Sequence, residues 1–191
     1  MAMKLPKKQP QPDLRYTYAD YCTWDDDERW ELIEGVPYAM SPAPSRAHQR
    51  ISMSLSNQFS SFLMGKPCEV YAAPFDVRLN ADTADDTVVQ PDLVIVCDAA
   101  KLDDAGCKGP PDMVAEILSP STARHDRFTK LRQYQKAGVR EYWIVDPDSR
   151  TVSVHILENG KYTINAFGDE GSAPVHVLPG CEINLPDVFA L

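Results

Sequence analysis

Apolar side chains recur at helical spacing between Ser45 and Gly65 and predict a first long helix of about five turns. Ser45 is a typical N-cap residue, and Gly65 followed by Pro67 supplies a stop signal. Further along the chain, a second helix is predicted to follow a Ser-Pro-Ser-Thr loop and to end at Gly138. Its apolar face is predicted to consist of Phe128, Leu131 and Tyr134.

Strand patterns alternate with these helices. Residues 30–40 predict a hairpin that turns at Gly35, and residues 93–97 and 113–118 are apolar on both pleat faces, which is typical of central strands. Residues 141–145 predict another strand, followed by alternating residues and an Asn-Gly turn that predict a C-terminal β meander. The order of elements therefore predicts an α/β or α+β fold with a mixed sheet.

The length and composition of the chain indicate a single folded domain. The chain has 191 residues, of which 43% are hydrophobic, enough for one folded core. Residues 1–15 contain few apolar side chains and are predicted to form a disordered basic tail, which leaves residues 16–191 as a single domain. The longest apolar run is far shorter than the roughly 20 residues of a membrane span, and the N-terminus lacks a secretory h-region.

The five cysteines are an odd number and include no C-x-x-C pair. They fit neither a disulfide framework nor a zinc site, so a reducing cytoplasm is the simplest expectation.

The net charge of −9 argues against a basic coat for nucleic acid. Residues 119–140, however, hold six basic residues against one acid. Such a local concentration is what a phosphate-binding face requires, and Arg124, Arg127 and Arg132 are the candidates for contact with nucleic acid.

Glu116 stands among apolar neighbours in a strand that is predicted to be buried. An unpaired buried carboxylate is costly and needs a cation, a metal or a shifted pKa, although buried ion pairs also occur in ordinary cores. Asp92 opens the strand 93–97, where turn chemistry is the alternative explanation. Two carboxylates on neighbouring strands can share a hard divalent cation. Lys130 is a third candidate, with a solvated ion pair to Asp126 as the alternative.

Several segments closely resemble the Uma2 family of the PD-(D/E)XK restriction endonuclease-like superfamily. The resemblance is carried by residues 90–96 (QPDLVIV), 109–122 (GPPDMVAEILSPST), 126–130 and 137–147, with weaker support from residues 31–35 and 41–48. It spans most of residues 16–150 and implies a mixed sheet flanked by helices.

The resemblance also implies a site. Asp92 and Glu116 would hold Mg²⁺ or Mn²⁺, with the Ile117 carbonyl as a further ligand. Leu118 stands where the superfamily has a catalytic lysine, and that role is expected to pass to Lys130. Glu34 and His48 are additional catalytic candidates, for which solvent-exposed positions are the alternative.

We therefore expect a metal-dependent endonuclease that hydrolyses phosphodiester bonds in DNA. The alternatives are a catalytically inactive nucleic-acid or protein-binding module on the same fold, and a nuclease acting on RNA. A homodimer is expected because duplex cleavage needs two active centres, and the C-terminal meander could supply its interface.

Overall fold

The fold was analysed in a computed structural model, which describes residues 10–11, 13–25, 28–40 and 43–190. Most of the tail predicted over residues 1–15 lies outside the described residues. The described chain is a mixed α+β structure, as predicted. None of its described helices has the length and apolar character of a membrane span.

The α-helices of the described chain are α1 (Tyr18–Tyr21), α2 (Arg46–Leu63), α3 (Leu131–Ala137) and α4 (Leu185–Val188). A 3₁₀-helix covers Ala99–Lys101 and a π-helix covers His125–Lys130. The strands are β1 (Trp30–Ile33), β2 (Val36–Ala39), β3 (Glu69–Ala72), β4 (Val77–Arg78), β5 (Val88–Val89), β6 (Leu93–Val96), β7 (Leu102–Asp103), β8 (Gly106–Lys108), β9 (Met113–Ile117), β10 (Glu141–Asp146), β11 (Thr151–Glu158), β12 (Lys161–Phe167), β13 (Ser172–Pro174) and β14 (Glu182–Asn184).

A six-stranded central sheet has the order β12-β11-β10-β9-β6-β3. Strands β9 and β10 are parallel, and the other neighbours are antiparallel. The predicted meander is present as β10-β11-β12. Helix α2 begins after Ser45, whose hydroxyl accepts a hydrogen bond from the His48 amide at 3.2 Å. Its buried residues Ile51, Leu55 and Phe59 belong to the core on one face of this sheet.

A second six-stranded sheet has the order β2-β1-β5-β4-β8-β7 and contains the predicted N-terminal hairpin, β1-β2. Strand β8 approaches β4 so closely that glycine is needed at position 106. A Cβ on Gly106 would lie 2.2 Å from the Asp76 carbonyl oxygen, and the backbone there has a φ of +131°. This sheet places β1 next to the end of the central sheet where Asp92 precedes β6, since Glu31 of β1 accepts a hydrogen bond from the Gln90 amide.

The predicted apolar face of the second helix is wrong at Phe128, which is 69% exposed. The chain forms a π-helix here, with the Leu131 amide bonded to the Asp126 carbonyl five residues earlier. Residues four apart share one side of a helical turn. Asp126 and Lys130 therefore face inwards, and Phe128, midway between them, faces solvent. The helix ends at Gly138 as predicted, in the left-handed conformation.

The expectation that the cysteines form no disulfide is also wrong, because Cys68 and Cys97 are bonded. Strands β3 and β6 are antiparallel neighbours with Glu69 opposite Val96, and the two cysteines occupy the next paired position. A separation of 29 residues in sequence conceals this pairing. The cytoplasmic location that was inferred from the cysteines stays a prediction.

Candidate active site

Asp92 and Glu116 meet at one end of the central sheet. Strands β6 and β9 are antiparallel, with Leu93 opposite Ala115. Asp92, which precedes Leu93, therefore lies across from Glu116, which follows Ala115. Side chains two residues apart on a strand share a face. Glu116 therefore lies on the face of Val114, which packs towards α3, and Asp92 lies next to it at the start of the neighbouring strand. The structure brings together the two residues that the sequence predicted as a pair.

Glu116 is 3% exposed and is bonded to two side chains of the helical segment. Its Oε1 accepts hydrogen bonds from the Lys130 ammonium at 2.9 Å and the Tyr134 hydroxyl at 2.7 Å. Burial raises the pKa of Glu116 well above its usual value, and the neighbouring carboxylates of Asp126, Asp92 and Glu31 act in the same direction, against the lowering effect of Lys130. Burial and the neighbouring negative charges therefore disfavour the ionised form of Glu116.

Lys130 lies at the centre of three carboxylates. Its Nζ is 2.8 Å from Glu31 Oε1, 2.9 Å from Glu116 Oε1 and 3.7 Å from Asp126 Oδ1. Burial acts to lower the pKa of Lys130, but the attraction of these carboxylates outweighs it and raises the pKa well above its usual value. The ammonium stays charged because the cluster around it is acidic. The ion pair with Asp126, for which a solvated position was the alternative explanation, is buried.

Glu31 is a site residue that the sequence analysis missed. It comes from β1, is 4% exposed, and accepts a hydrogen bond from the Gln90 amide at 2.9 Å as well as the ion pair with Lys130. The available signal was an acid beside the buried Leu32 and Ile33, the same kind of pattern that singled out Glu116. The structure does not bring Glu34 to this group, because Glu34 lies exposed in the β1-β2 turn and pairs with Lys136 at 2.8 Å.

His48 joins the site from the first turn of α2. Its Nε2 lies 3.2 Å from Asp92 Oδ2, the same oxygen that accepts a hydrogen bond from the Ile117 amide at 2.8 Å. Burial acts to lower the pKa of His48, but the hydrogen bond and charge of Asp92 outweigh it, so the pKa is raised. Within the described chain, the buried Nδ1 of His48 has no hydrogen-bond partner. Asp92 is thus held from two sides, by a strand amide and by an imidazole.

Part of this cluster lines a cleft of about 740 Å³. Its walls come from α2, from the loop before β6, and from the loop and π-helix after β9. Asp92, Glu116, Ile117, Asp126, Lys130 and His48 all line this cleft. Three of them, Glu116, Asp126 and Lys130, are nevertheless almost fully buried.

Among the described residues, no three His, Cys, Asp or Glu side chains form a preassembled metal-binding group. The donor chemistry nevertheless fits a hard divalent cation. The hydrogen bonds described above use one oxygen of each carboxylate, Oδ2 of Asp92 and Oε1 of Glu116. The second oxygen of each is the atom through which it could bind a cation. One ammonium contacts three carboxylates, so the cluster also carries the surplus negative charge that a cation would offset.

The basic residues of the segment 119–140 are largely paired. Arg127 contacts Asp146 at 2.8 Å, and Arg140 is paired with Asp112. With Lys130 buried and Lys136 bound to Glu34, the local excess of positive charge is smaller at the surface than the sequence count suggests. Arg124 and Arg132 are exposed, and Arg124 lines a groove next to the cleft.

A mixed sheet with paired carboxylates at one end and a lysine from the adjoining helical segment defines a protein of the restriction endonuclease-like class. The chain belongs to the Uma2 family, whose model, described as "Putative restriction endonuclease", matches residues 16–186. The family predicted from the sequence motifs is therefore confirmed.

The chain is also similar to two known proteins. An uncharacterised protein from Synechocystis is 30% identical over 149 residues, which is 76% of each chain. A crystal structure described as a "putative nuclease belonging to DUF820", from Anabaena variabilis, superimposes with a TM-score of 0.73 at 18% identity and covers 92% of this chain and 98% of that one. The similarity to the Anabaena protein establishes the fold alone.

Proposed function

We propose that this protein is a divalent-metal-dependent endonuclease that hydrolyses phosphodiester bonds in DNA. The observation that carries the proposal is the buried cluster at the cleft, where Lys130 contacts Glu31, Glu116 and Asp126, and Asp92 faces Glu116 across two strands. A protein core gains nothing from such an excess of buried carboxylates, since each costs desolvation energy. The cost is understandable if the cluster binds a cation and a phosphate.

The proposed ligands of Mg²⁺ or Mn²⁺ are the carboxylates of Asp92 and Glu116 and the carbonyl of Ile117. A bound divalent cation supplies Lewis acidity towards phosphoryl oxygen and lowers the pKa of water. Two of these residues are adjacent on β9, and the third directly precedes the neighbouring strand β6. Every member of the ligand set would therefore lie on a strand or next to one.

Lys130 is proposed to orient the attacking water and to offset the charge that develops on the phosphate. Leu118, at the position of the usual lysine, is 6% exposed and packs in the apolar cluster with Tyr134 and Ile144. Lys130 instead reaches the Glu116 carboxylate from the helical segment. Glu31 would position this ammonium, and His48 would hold Asp92 in place. We assign no catalytic role to Glu34, whose carboxylate pairs with Lys136.

Cleavage of supercoiled plasmid in Mg²⁺, in Mn²⁺ and in EDTA tests the proposal. The wild type is expected to nick the plasmid only with a divalent cation. Glu116→Gln and Asp92→Asn should each lower the rate by roughly 100-fold or more, because loss of preorganised charge at the reacting centre typically costs that much. Glu158→Gln, which changes an exposed carboxylate at the end of β11, is the matched control and should retain the wild-type rate.

Full activity in both site variants would contradict the assignment of the site. Isothermal titration calorimetry with Mn²⁺ separates the inactive binding module from the enzyme, since a module without a metal site should release no binding heat. Single-stranded DNA and RNA in the same assay distinguish a DNA substrate from an RNA substrate. The proposed homodimer is tested by sedimentation of the wild type over a range of concentrations.

A further inference from the structure

A second groove, of about 650 Å³, lies on the outer face of the π-helix. It is lined by Ser121, Arg124, His125, Phe128 and Thr129. Ser121 lines both this groove and the cleft, so the two openings adjoin each other. A polymeric ligand with one phosphate in the cleft would thus pass over the groove with the neighbouring part of its chain.

Phe128 is the most unusual side chain in this groove. It is 69% exposed because the same helical turn that directs Asp126 and Lys130 inwards directs Phe128 outwards. Beside it, His125 is half-buried and packs against Tyr38, with 4.9 Å between the ring centroids. The groove therefore offers the exposed ring of Phe128 next to the packed rings of His125 and Tyr38.

The polar groups of the groove identify its ligand. Arg124 is exposed and brings a positive charge to the rim, and Ser121 and Thr129 bring hydroxyl groups. An aromatic face next to a guanidinium is the combination that binds a nucleobase together with its phosphate. An apolar peptide side chain would use the ring but would leave the arginine without a matching charge.

We propose that this groove binds an unpaired nucleobase next to the phosphate in the cleft, with the base stacked on Phe128 and its phosphate near Arg124. The inference rests on the proposed function, because the nucleic acid in the cleft identifies the chain that crosses the groove. In a duplex each base is already stacked between its neighbours and cannot cover Phe128 without being extruded. The groove therefore favours single-stranded or locally unpaired substrate over intact duplex.

Fluorescence anisotropy in EDTA measures this binding without any cleavage. The probes are a fluorescein-labelled oligodeoxythymidine of about 12 nucleotides, an abasic oligomer of the same length and charge, and a duplex of the same length. Phe128→Ala is expected to weaken oligodeoxythymidine binding by roughly five-fold or more, as loss of one stacked base does. The abasic oligomer should bind the wild type weakly and should lose nothing further in Phe128→Ala.

Phe128→Trp keeps an aromatic face and should retain the wild-type affinity, which shows that the loss in Phe128→Ala is not due to misfolding. Ile164→Ala is the matched control, because Ile164 is 62% exposed on strand β12 and does not line the groove. The inference is overturned if Phe128→Ala binds oligodeoxythymidine as tightly as Ile164→Ala, if the abasic oligomer suffers the same loss, or if the wild type binds none of the probes. Phe128-dependent binding without metal-dependent cleavage would support the groove and refute the proposed function.

Discussion

Lys130→Met removes the positive charge at the centre of the buried cluster while keeping a side chain of similar length. The substitution removes the ammonium that lies 2.8 Å from Glu31 and 2.9 Å from Glu116, and leaves the two carboxylates without a cation. Both carboxylates are almost fully buried, so water cannot replace the lost charge. We expect this variant to be substantially less stable than the wild type.

The magnitude follows from the geometry. At an effective dielectric constant of about 20, each of the two short contacts contributes roughly 6 kcal/mol of gross attraction. Desolvation of the ions offsets much of this, and breaking a buried pair by removing one partner costs about 3–5 kcal/mol. Glu116 can take up a proton when the ammonium is lost, because burial already raises its pKa. We therefore expect the lower end of the range, about 3 kcal/mol, or roughly 6–12 °C in melting temperature.

Urea unfolding followed by circular dichroism measures this difference, and Lys136→Met is a matched control. Lys136 pairs with Glu34 at the same 2.8 Å, but both side chains are exposed, so the control should lose about 1 kcal/mol or less. Glu116→Gln added to Lys130→Met should restore part of the stability, since it removes one unpaired buried charge. Equal losses in Lys130→Met and Lys136→Met would refute the argument that burial makes the cluster critical.

Two further predictions concern stability away from the site. His155 is buried, and burial lowers its pKa in the folded state, so the unfolded chain takes up the proton first as the pH falls. His155 therefore lowers the stability of the fold below about pH 6.5. Between about pH 8 and pH 5 the melting temperature should fall less for His155→Gln than for the wild type. An equal fall in both proteins would contradict this. Gly106→Ala should cost about 2 kcal/mol or more through the clash with Asp76 and the positive φ, whereas Gly160→Ala, at a φ of +78° with open space around it, should cost less. Equal unfolding midpoints for these two variants would show that β8 adjusts to a methyl group.

Local signals in the sequence were enough for much of the fold. The helical spacing of Ile51, Leu55 and Phe59 after a capping serine placed α2 correctly, because one apolar face and one cap define a helix without reference to the rest of the chain. The continuous apolar runs likewise placed β6 and β9 in the interior of a sheet. These features depend on residues that are close together in sequence.

The candidate site was predictable only in part, as its buried acids show. The apolar neighbours of Glu116 indicate a buried carboxylate, yet Glu141 on β10 is also buried and contacts no residue of the candidate site. Glu141 accepts hydrogen bonds from the Trp143 indole at 2.7 Å and the Val177 amide at 2.8 Å, which satisfy it within the core. A sequence pattern shows that an acid is buried, but it does not show what the acid contacts.

What the sequence by itself determined is therefore the elements, the family, and the pairing of Asp92 with Glu116. Only the tertiary structure revealed that Glu31 completes the contacts of Lys130, that Phe128 faces outwards, and that Cys68 meets Cys97. Each of these features depends on how distant elements pack against one another, which leaves no period in the pattern of apolar residues. Periodicity shows which side of an element is buried, whereas the tertiary packing of the chain decides which distant residues that side contacts.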